Sequence, residues 1–316
     1  MFRWIATKLA LARKRSGYRS RLGGLWIDRV DADALLDERL RLGELTETDA
    51  QLLRDWRRDG FVLLRNAIST ELADRVNEFV EEVWRTQDPR VIVELGGDLS
   101  SVGAAERSQP NKLLDLAVYC EDVRRAALAE PILRFLRLAF DEDVLMFSNL
   151  SFERGSEQPV HQDSAYVVVE NPLCLAASWV ALENVSPGSG ELEYYVGSHT
   201  LEDHLFAGRY KNWNRERDGH AAHRAYLQGL HERSHRLGLK RESFLPRKGD
   251  ALVWSADLAH GGSAVTDRDL TRKSLVSHYC PASIRPYYWS YKRRQRWLVR
   301  CHEHASYTSG HYPRPR

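Results

Sequence analysis

Val144-Leu145-Met146-Phe147-Ser148-Asn149-Leu150-Ser151-Phe152 carries no charge, glycine or proline, and it is followed by Arg154-Gly155-Ser156. An apolar run of this length, bounded by turn residues, predicts a β-strand. Similar runs recur downstream at Ala165–Val169, Leu173–Leu182, Glu191–Val196, Ala251–Trp254 and Lys273–Tyr279. Turn signals separate them, at Asn171-Pro172, Pro187-Gly188-Ser189-Gly190 and Lys248-Gly249-Asp250. Upstream, Gly60 precedes one further strand candidate, Phe61-Val62-Leu63-Leu64. Ser69 and Thr70 then stand before a helix whose apolar positions 72, 76, 79, 80 and 83 repeat with helical spacing. A second helix is expected over Cys120–Phe140, interrupted at Pro131. Helices followed by many short strands predict a mainly β fold, a sandwich or jelly roll with flanking α-helices.

The 316 residues are 43% hydrophobic and 28% charged, an ordinary globular composition able to bury a large core. With 46 basic and 44 acidic residues the net charge is only +2, which gives no reason to expect nucleic acid as a partner. Cys120, Cys174, Cys280 and Cys301 form no CxxC pair, which argues against a disulfide framework or zinc knuckle and for a reducing, cytoplasmic setting. No apolar run approaches the roughly 20 residues that span a bilayer. The basic, mildly amphipathic start, Met1 to Arg15, is expected to pack on its own domain, with contact to an anionic membrane surface as the alternative.

Chemistry enters at Pro159-Val160-His161-Gln162-Asp163. In extended chain, residues i and i+2 point the same way, so His161 and Asp163 offer an imidazole nitrogen and a carboxylate oxygen to one point. About a hundred residues on, Trp254-Ser255-Ala256-Asp257-Leu258-Ala259-His260-Gly261-Gly262 places a histidine after a strand and before a glycine turn. Two histidines and a carboxylate make the facial triad of non-haem Fe(II) oxygenases. The remaining coordination positions suit a chelating 2-oxoacid and dioxygen, and the far carboxylate of 2-oxoglutarate needs a cation. Arginine suits it, because its planar fork binds carboxylate through two hydrogen bonds and never loses its charge. Arg272 opens the strand candidate that ends at Tyr279; Arg268, in Thr266-Asp267-Arg268-Asp269, reads as a surface ion pair.

Residues 56–283 resemble the phytanoyl-CoA dioxygenase family of 2-oxoglutarate oxygenases. Gly60-Phe61-Val62-Leu63-Leu64 is similar to that family's opening strand, and His161-Gln162-Asp163 to its proximal ligand motif. Trp179 stands eighteen residues after His161, where members carry a tryptophan beside the cosubstrate. Gly190-Glu191-Leu192 through Val196-Gly197-Ser198-His199 resembles its Gly-x-Leu…Pro-Gly-Ser-His stretch, with Val196 in place of the usual proline. His260 and Arg272, twelve apart, resemble the distal ligand and the cosubstrate-binding arginine. The resemblance implies a double-stranded β-helix core of the jelly-roll, cupin-like kind, and Fe(II), 2-oxoglutarate and O2 as cofactor and cosubstrates. It implies that Lys112 and Ser263 also help hold the oxoacid. It further implies hydroxylation of an unactivated carbon of a small-molecule substrate, a specialised metabolite or an acyl or anionic compound, with release of succinate and carbon dioxide. Related halogenases lack the carboxylate ligand, and Asp163 is present here.

Residues 1–50 read as a helical N-terminal extension and 51–290 as the oxygenase domain, with 291–316 as a basic C-terminal tail. The block 201–248 reads as a charged, helical insert near the active site, with 11 Lys and Arg against 6 Asp and Glu, a balance compatible with an anionic substrate. Two motifs compete. His231-Glu232-Arg233-Ser234-His235 matches HExxH, so a zinc metallopeptidase is the alternative enzyme. His302-Glu303-His304, behind the basic run Lys292–Arg296, reads as part of a solvated tail. A relative that keeps the fold without the chemistry is the third class.

Overall fold

The computed structural model describes residues 17–103, 107, 109–287 and 297–315. Its centre is a pair of antiparallel sheets folded as a jelly roll. The larger sheet runs β1 (Phe61–Leu64), β9 (Ala251–Ser255), β6 (Ala176–Ala181), β11 (Ser274–Pro281) and β5 (Val144–Phe152). It continues beyond β5 through β4 (Lys112–Leu114) and β2 (Ile92–Leu95) to β3 (Asp98–Ser101). The smaller sheet is β10 (His260–Gly262), β7 (Leu192–Tyr195) and β8 (Arg241–Phe244).

Every residue of β6 and β11 is buried, because the larger sheet is covered on both faces. The period of two sorts the side chains. Val180, Val253, Leu275 and Tyr279 face the helices and join their core cluster. Trp179, Leu252, Trp254 and Val276 face the smaller sheet and pack with Leu192 and Phe244. The cavity of the site opens on this inner face.

The helices form where the pattern predicts them. Ser69 accepts from the Leu72 N–H and caps α3 (Thr70–Thr86), which buries Ala73, Val76, Val83 and Trp84. Before it, α1 (Ala32–Arg41) leads to α2 (Glu47–Asp59), and α2 stops at Gly60 with φ 85°. That left-handed turn needs glycine twice over, since a Cβ there would sit 2.5 Å from His199 Nδ1. The expected helix over 120–140 is two, α4 (Glu121–Ala127) and α5 (Glu130–Phe140). The break falls ahead of Pro131, which occupies the first turn of α5, where a missing N–H costs nothing.

Several expectations are corrected. Ala165–Val169 is not a strand: Asp163–Ala165 is a 3-10 turn, and only Val169 makes a bridge, to Pro286. Ala165 and Val169 are buried and the three residues between them half-buried, without a ladder, and the Ala165 carbonyl accepts from the Trp213 N–H instead. The expected division at residue 50 falls inside α2, and Leu25, Ile27 and Leu36 share one core cluster with Trp56 and Val76. The solvated tail is also corrected for residues 297–315. There β12 (Val299–His302) pairs with β13 (Ala305–Tyr307), and β13 lies parallel to β5. Tyr312, 5% exposed, accepts from the Ile92 N–H. Residues 1–15 and the basic run 292–296 lie outside the described residues. Among the described residues no helix is long and apolar enough to cross a membrane.

Candidate metal centre

His161 and His260 pair through their backbones, N–H to carbonyl in both directions, at 2.8 and 2.9 Å. The pairing places His161 on the free edge of the smaller sheet, beside β10. Gly261 permits the approach, because a Cβ there would meet the Gln158 carbonyl at 2.7 Å. Gln162 stays extended and Asp163 opens the 3-10 turn, so the i, i+2 pair does face one point. Asp163 Oδ1 lies 3.7 Å from His161 Nε2 and 3.6 Å from His260 Nε2, and all three residues are buried. Their ligand atoms fall within 4.8 Å of one another, the one such group of three among the described residues.

The hydrogen bonds behind the triad set its donor atoms. His161 Nδ1 bonds the Pro159 carbonyl and His260 Nδ1 the Leu258 carbonyl, each at 2.9 Å. A carbonyl only accepts, so Nδ1 carries the proton and Nε2 presents its lone pair inward. Burial pulls the His260 pKa down to about 4, which keeps that lone pair free. Burial opposes ionisation of Asp163, but the surrounding imidazoles outweigh it and hold the carboxyl well below its usual range. Trp254 Nε1 donates to Asp163 Oδ2 at 2.8 Å, and His278 Nε2 stands 3.8 Å from the same oxygen. Two imidazoles, each held at Nδ1 by a carbonyl, and one carboxylate, aimed at a common point, fit a divalent cation.

Arg272 lies deeper in the same cavity, 3% exposed. Its Nη1 donates to the Gly190 carbonyl at 2.9 Å, and its guanidinium faces the rings of Phe152 and Trp179. Its Nε is buried without a partner, and no carboxylate among the described residues forms an ion pair with it. Burial lowers its pKa to about 10, against a pull upward from Glu191, so the charge persists at neutral pH. A buried guanidinium with spare donors is chemically suited to an anionic group. Arg268, by contrast, is exposed.

The remaining candidates divide. Trp179 lines the cavity, with its Nε1 buried and unpartnered. Lys112 lines it too, but its ammonium is already held by Glu94 at 2.8 Å. Ser263 is not among the lining residues. The cavity measures about 330 Å³, with Leu150, Phe152, Leu192 and Val276 on the sheet side and Tyr166 and Trp213 opposite. A slightly larger one, about 370 Å³, lies between Arg19, Asp28, His199 and Asp203, away from the triad, and holds no comparable donor set.

The charged block supplies a wall rather than a cationic patch. Its helix α6 (Arg215–Arg236) places Tyr226 to accept from the Gln162 N–H at 3.0 Å, and His223 to meet the Tyr166 hydroxyl at 2.5 Å. Arg215, Arg217 and Arg224 are exposed and line no part of the cavity. In the HExxH stretch, His231 and His235 both reach the Tyr195 hydroxyl, at 3.1 and 3.3 Å. Glu232 is exposed and held by Gln228, so it does not serve a bound metal as general base.

The sequence profile of the family described as Phytanoyl-CoA dioxygenase (PhyH) matches residues 56–274. The chain belongs to the phytanoyl-CoA dioxygenase family. That membership places it in the dioxygenase superfamily. Among solved structures, this family member resembles the epimerase SnoN in complex with Fe3+, alpha ketoglutarate and nogalamycin RO. That match has 18% identity and a TM-score of 0.56, over 75% of this chain and 85% of that one. It also resembles the alpha ketoglutarate dependent carbocyclase SnoK from nogalamycin biosynthesis, at 17% identity and a TM-score of 0.56, over 77% and 86%. A third, EctD from S. alaskensis with bound Fe, matches at 15% identity and 0.53, over 76% and 77%. These likenesses bear out the cupin-like jelly-roll fold. No curated protein sequence matches the chain.

Four residues of the site escaped the sequence reading: Trp254, His278, Tyr166 and Trp213. Trp254 was within reach, since it shares the inner parity of β9 with Leu252. Nothing local marks the other three, which are brought in by β11, the 3-10 turn and the insert.

Proposed function

We propose that this family member is a non-haem Fe(II)- and 2-oxoglutarate-dependent dioxygenase that hydroxylates an unactivated carbon of a small molecule. The observation that carries the reading is the convergence of His161, Asp163 and His260, with both Nδ1 atoms held by carbonyls, beside an Arg272 that no carboxylate among the described residues pairs with. The neighbours described with iron or alpha ketoglutarate bound support it by analogy.

His161, Asp163 and His260 would hold the iron, and Arg272 the distal carboxylate of the oxoacid. When bound, iron and 2-oxoglutarate would activate dioxygen and supply the oxidation, releasing succinate and carbon dioxide. The chain's own contribution is position and shielding. The backbone pairing of His161 with His260 fixes the spacing of two ligands. Trp254 holds Asp163 Oδ2 and leaves Oδ1 toward the imidazoles. Trp179 and Phe152 flank the guanidinium and would shield from water any contact it made with the oxoacid. We assign no oxoacid contact to Lys112, which would first have to leave Glu94, or to Ser263, which lies outside the cavity lining.

The substrate would lie between the apolar sheet side and Tyr166. With no free cation of the insert on the cavity wall, an anionic substrate draws no support from residues 201–248. A small molecule with a largely apolar body fits better.

The test is an oxygen-free titration of the apo-protein with Fe(II) and then 2-oxoglutarate, followed by the visible charge-transfer band of the chelate. Admission of oxygen should then yield succinate. His161→Ala, Asp163→Ala and His260→Ala should each abolish both signals, and succinate formation by any folded variant would remove that ligand from the set.

A further inference from the structure

Lys211 precedes α6 in the charged insert, yet its side chain is only 3% exposed. Its ammonium donates to Asp257 Oδ2 at 2.5 Å and to Asp203 Oδ1 at 3.0 Å. The other oxygen of Asp257 accepts the Ser164 hydroxyl, and the Asp257 carbonyl accepts Gln162 Nε2 at 2.7 Å. Gln162 and Ser164 flank Asp163, and Asp257 lies three residues before His260. One buried ammonium therefore stands behind both segments that carry the triad.

The geometry explains why a tie is needed there. In front, the triad segments are joined by the His161–His260 backbone pair. Behind, the Asp163 turn is joined to the 256–260 segment by the Ser164 N–H bond to Ala256, at 3.1 Å, and by the Asp257 contacts, while Tyr226, Trp213 and Trp254 hold it from other elements. A metal site tolerates ligand displacements of only about 0.5 Å, so the placement of the Asp163 turn relative to the segment bearing His260 must be held closely. Burial works against the Lys211 charge, but Asp257 and Asp203 outweigh it and raise its pKa. The charge stays, and it pairs with the buried Asp257 carboxylate.

We propose that Lys211 is a positioning residue for the metal centre: through Asp257 it locks the Asp163 turn to the segment bearing His260. The inference rests on the metal reading above and extends it to a residue that touches none of the triad side chains.

The test uses the full chain without oxygen, titrated with Fe(II) at saturating 2-oxoglutarate, with apo-protein melting temperatures measured in parallel. Three variants are compared. Lys211→Met removes the ammonium and Ser164→Ala removes only one hydroxyl. Asp49→Asn disrupts a different buried carboxylate, paired with Arg134 at 2.7 Å on α2. Lys211→Met and Ser164→Ala should weaken Fe(II) binding about tenfold or more. Asp49→Asn should lower the melting temperature and bind Fe(II) as the wild type does. If Lys211→Met does not fold, Ser164→Ala decides alone. Unchanged Fe(II) affinity in Ser164→Ala, or a loss that tracks melting temperature across all three variants, would overturn the proposal. A wild-type protein with no charge-transfer band would instead overturn the metal reading beneath it, a result told apart by the wild type alone.

Discussion

Trp254 Nε1 donates to Asp163 Oδ2 at 2.8 Å, so a strand of the larger sheet holds the carboxylate that opens the 3-10 turn. The bond ties up one oxygen and leaves Oδ1 nearest both imidazoles. Trp254→Phe keeps the ring and removes the donor. Fe(II) affinity should then fall roughly ten- to a hundredfold, the usual cost of losing such a supporting bond. Oxygen-free titration of Fe(II) measures it; an unchanged affinity would reduce Trp254 to packing.

Among the described residues no carboxylate forms an ion pair with Arg272, and its neighbours Phe152 and Trp179 are rings. Arg272→Lys keeps a charge but loses the planar fork. The half-saturating 2-oxoglutarate concentration should rise by about a hundredfold, a loss of roughly two charge-assisted hydrogen bonds. Fe(II) binding without oxoacid should stay within about twofold. Equal losses of both would place Arg272 in the framework of the cavity rather than in the oxoacid site.

His199 and Asp28 line one cavity and titrate in opposite senses. Burial lowers the His199 pKa from 6.5 to about 4, so between those values the unfolded chain binds more protons and acidification destabilises the fold. Burial raises the Asp28 pKa from 3.8 to about 6, so in that window the folded chain binds more protons and acidification stabilises it. The two contributions oppose each other in the wild type. Asp28→Asn should therefore steepen the loss of stability between pH 6.5 and pH 4.5, and His199→Gln should flatten it, each by up to about 3 kcal/mol. Urea unfolding of the apo-protein across this range reads both; curves parallel to the wild type would refute the assignment.

The HExxH motif should prove inert. Glu232 is exposed on α6, away from any third ligand. Glu232→Gln should leave Fe(II) content and succinate formation within about twofold of wild type, with no peptide hydrolysis before or after the change. Zinc-dependent peptide cleavage lost in that variant would reverse the reading.

Much of the molecule was legible along the chain, because local chemistry was enough. The apolar runs around 144–152, 251–254 and 274–279 became strands since each is largely buried on two faces and needs no distant partner to announce it, and 61–64 did so with only Leu63 exposed. The His161 and Asp163 pair was readable because extended chain aligns i and i+2 whatever surrounds it. Where burial comes from elsewhere, the reading failed. Residues 165–169 carry a strand composition, yet the insert packs over them and they turn instead. The C-terminal strands are polar and short, and only the free edge of β5 orders them.

The sequence by itself thus determined the family, the jelly-roll class and the identity of the three convergent side chains, all set by short-range pattern and motif spacing. Tertiary structure alone decided which polar groups support them. Trp254 on Asp163 and Lys211 behind Asp257 are separated from their partners by tens of residues, and among the described residues Arg272 is left without a carboxylate ion pair. Whether a buried charge has a partner depends on the three-dimensional packing around it, and no local pattern encodes that.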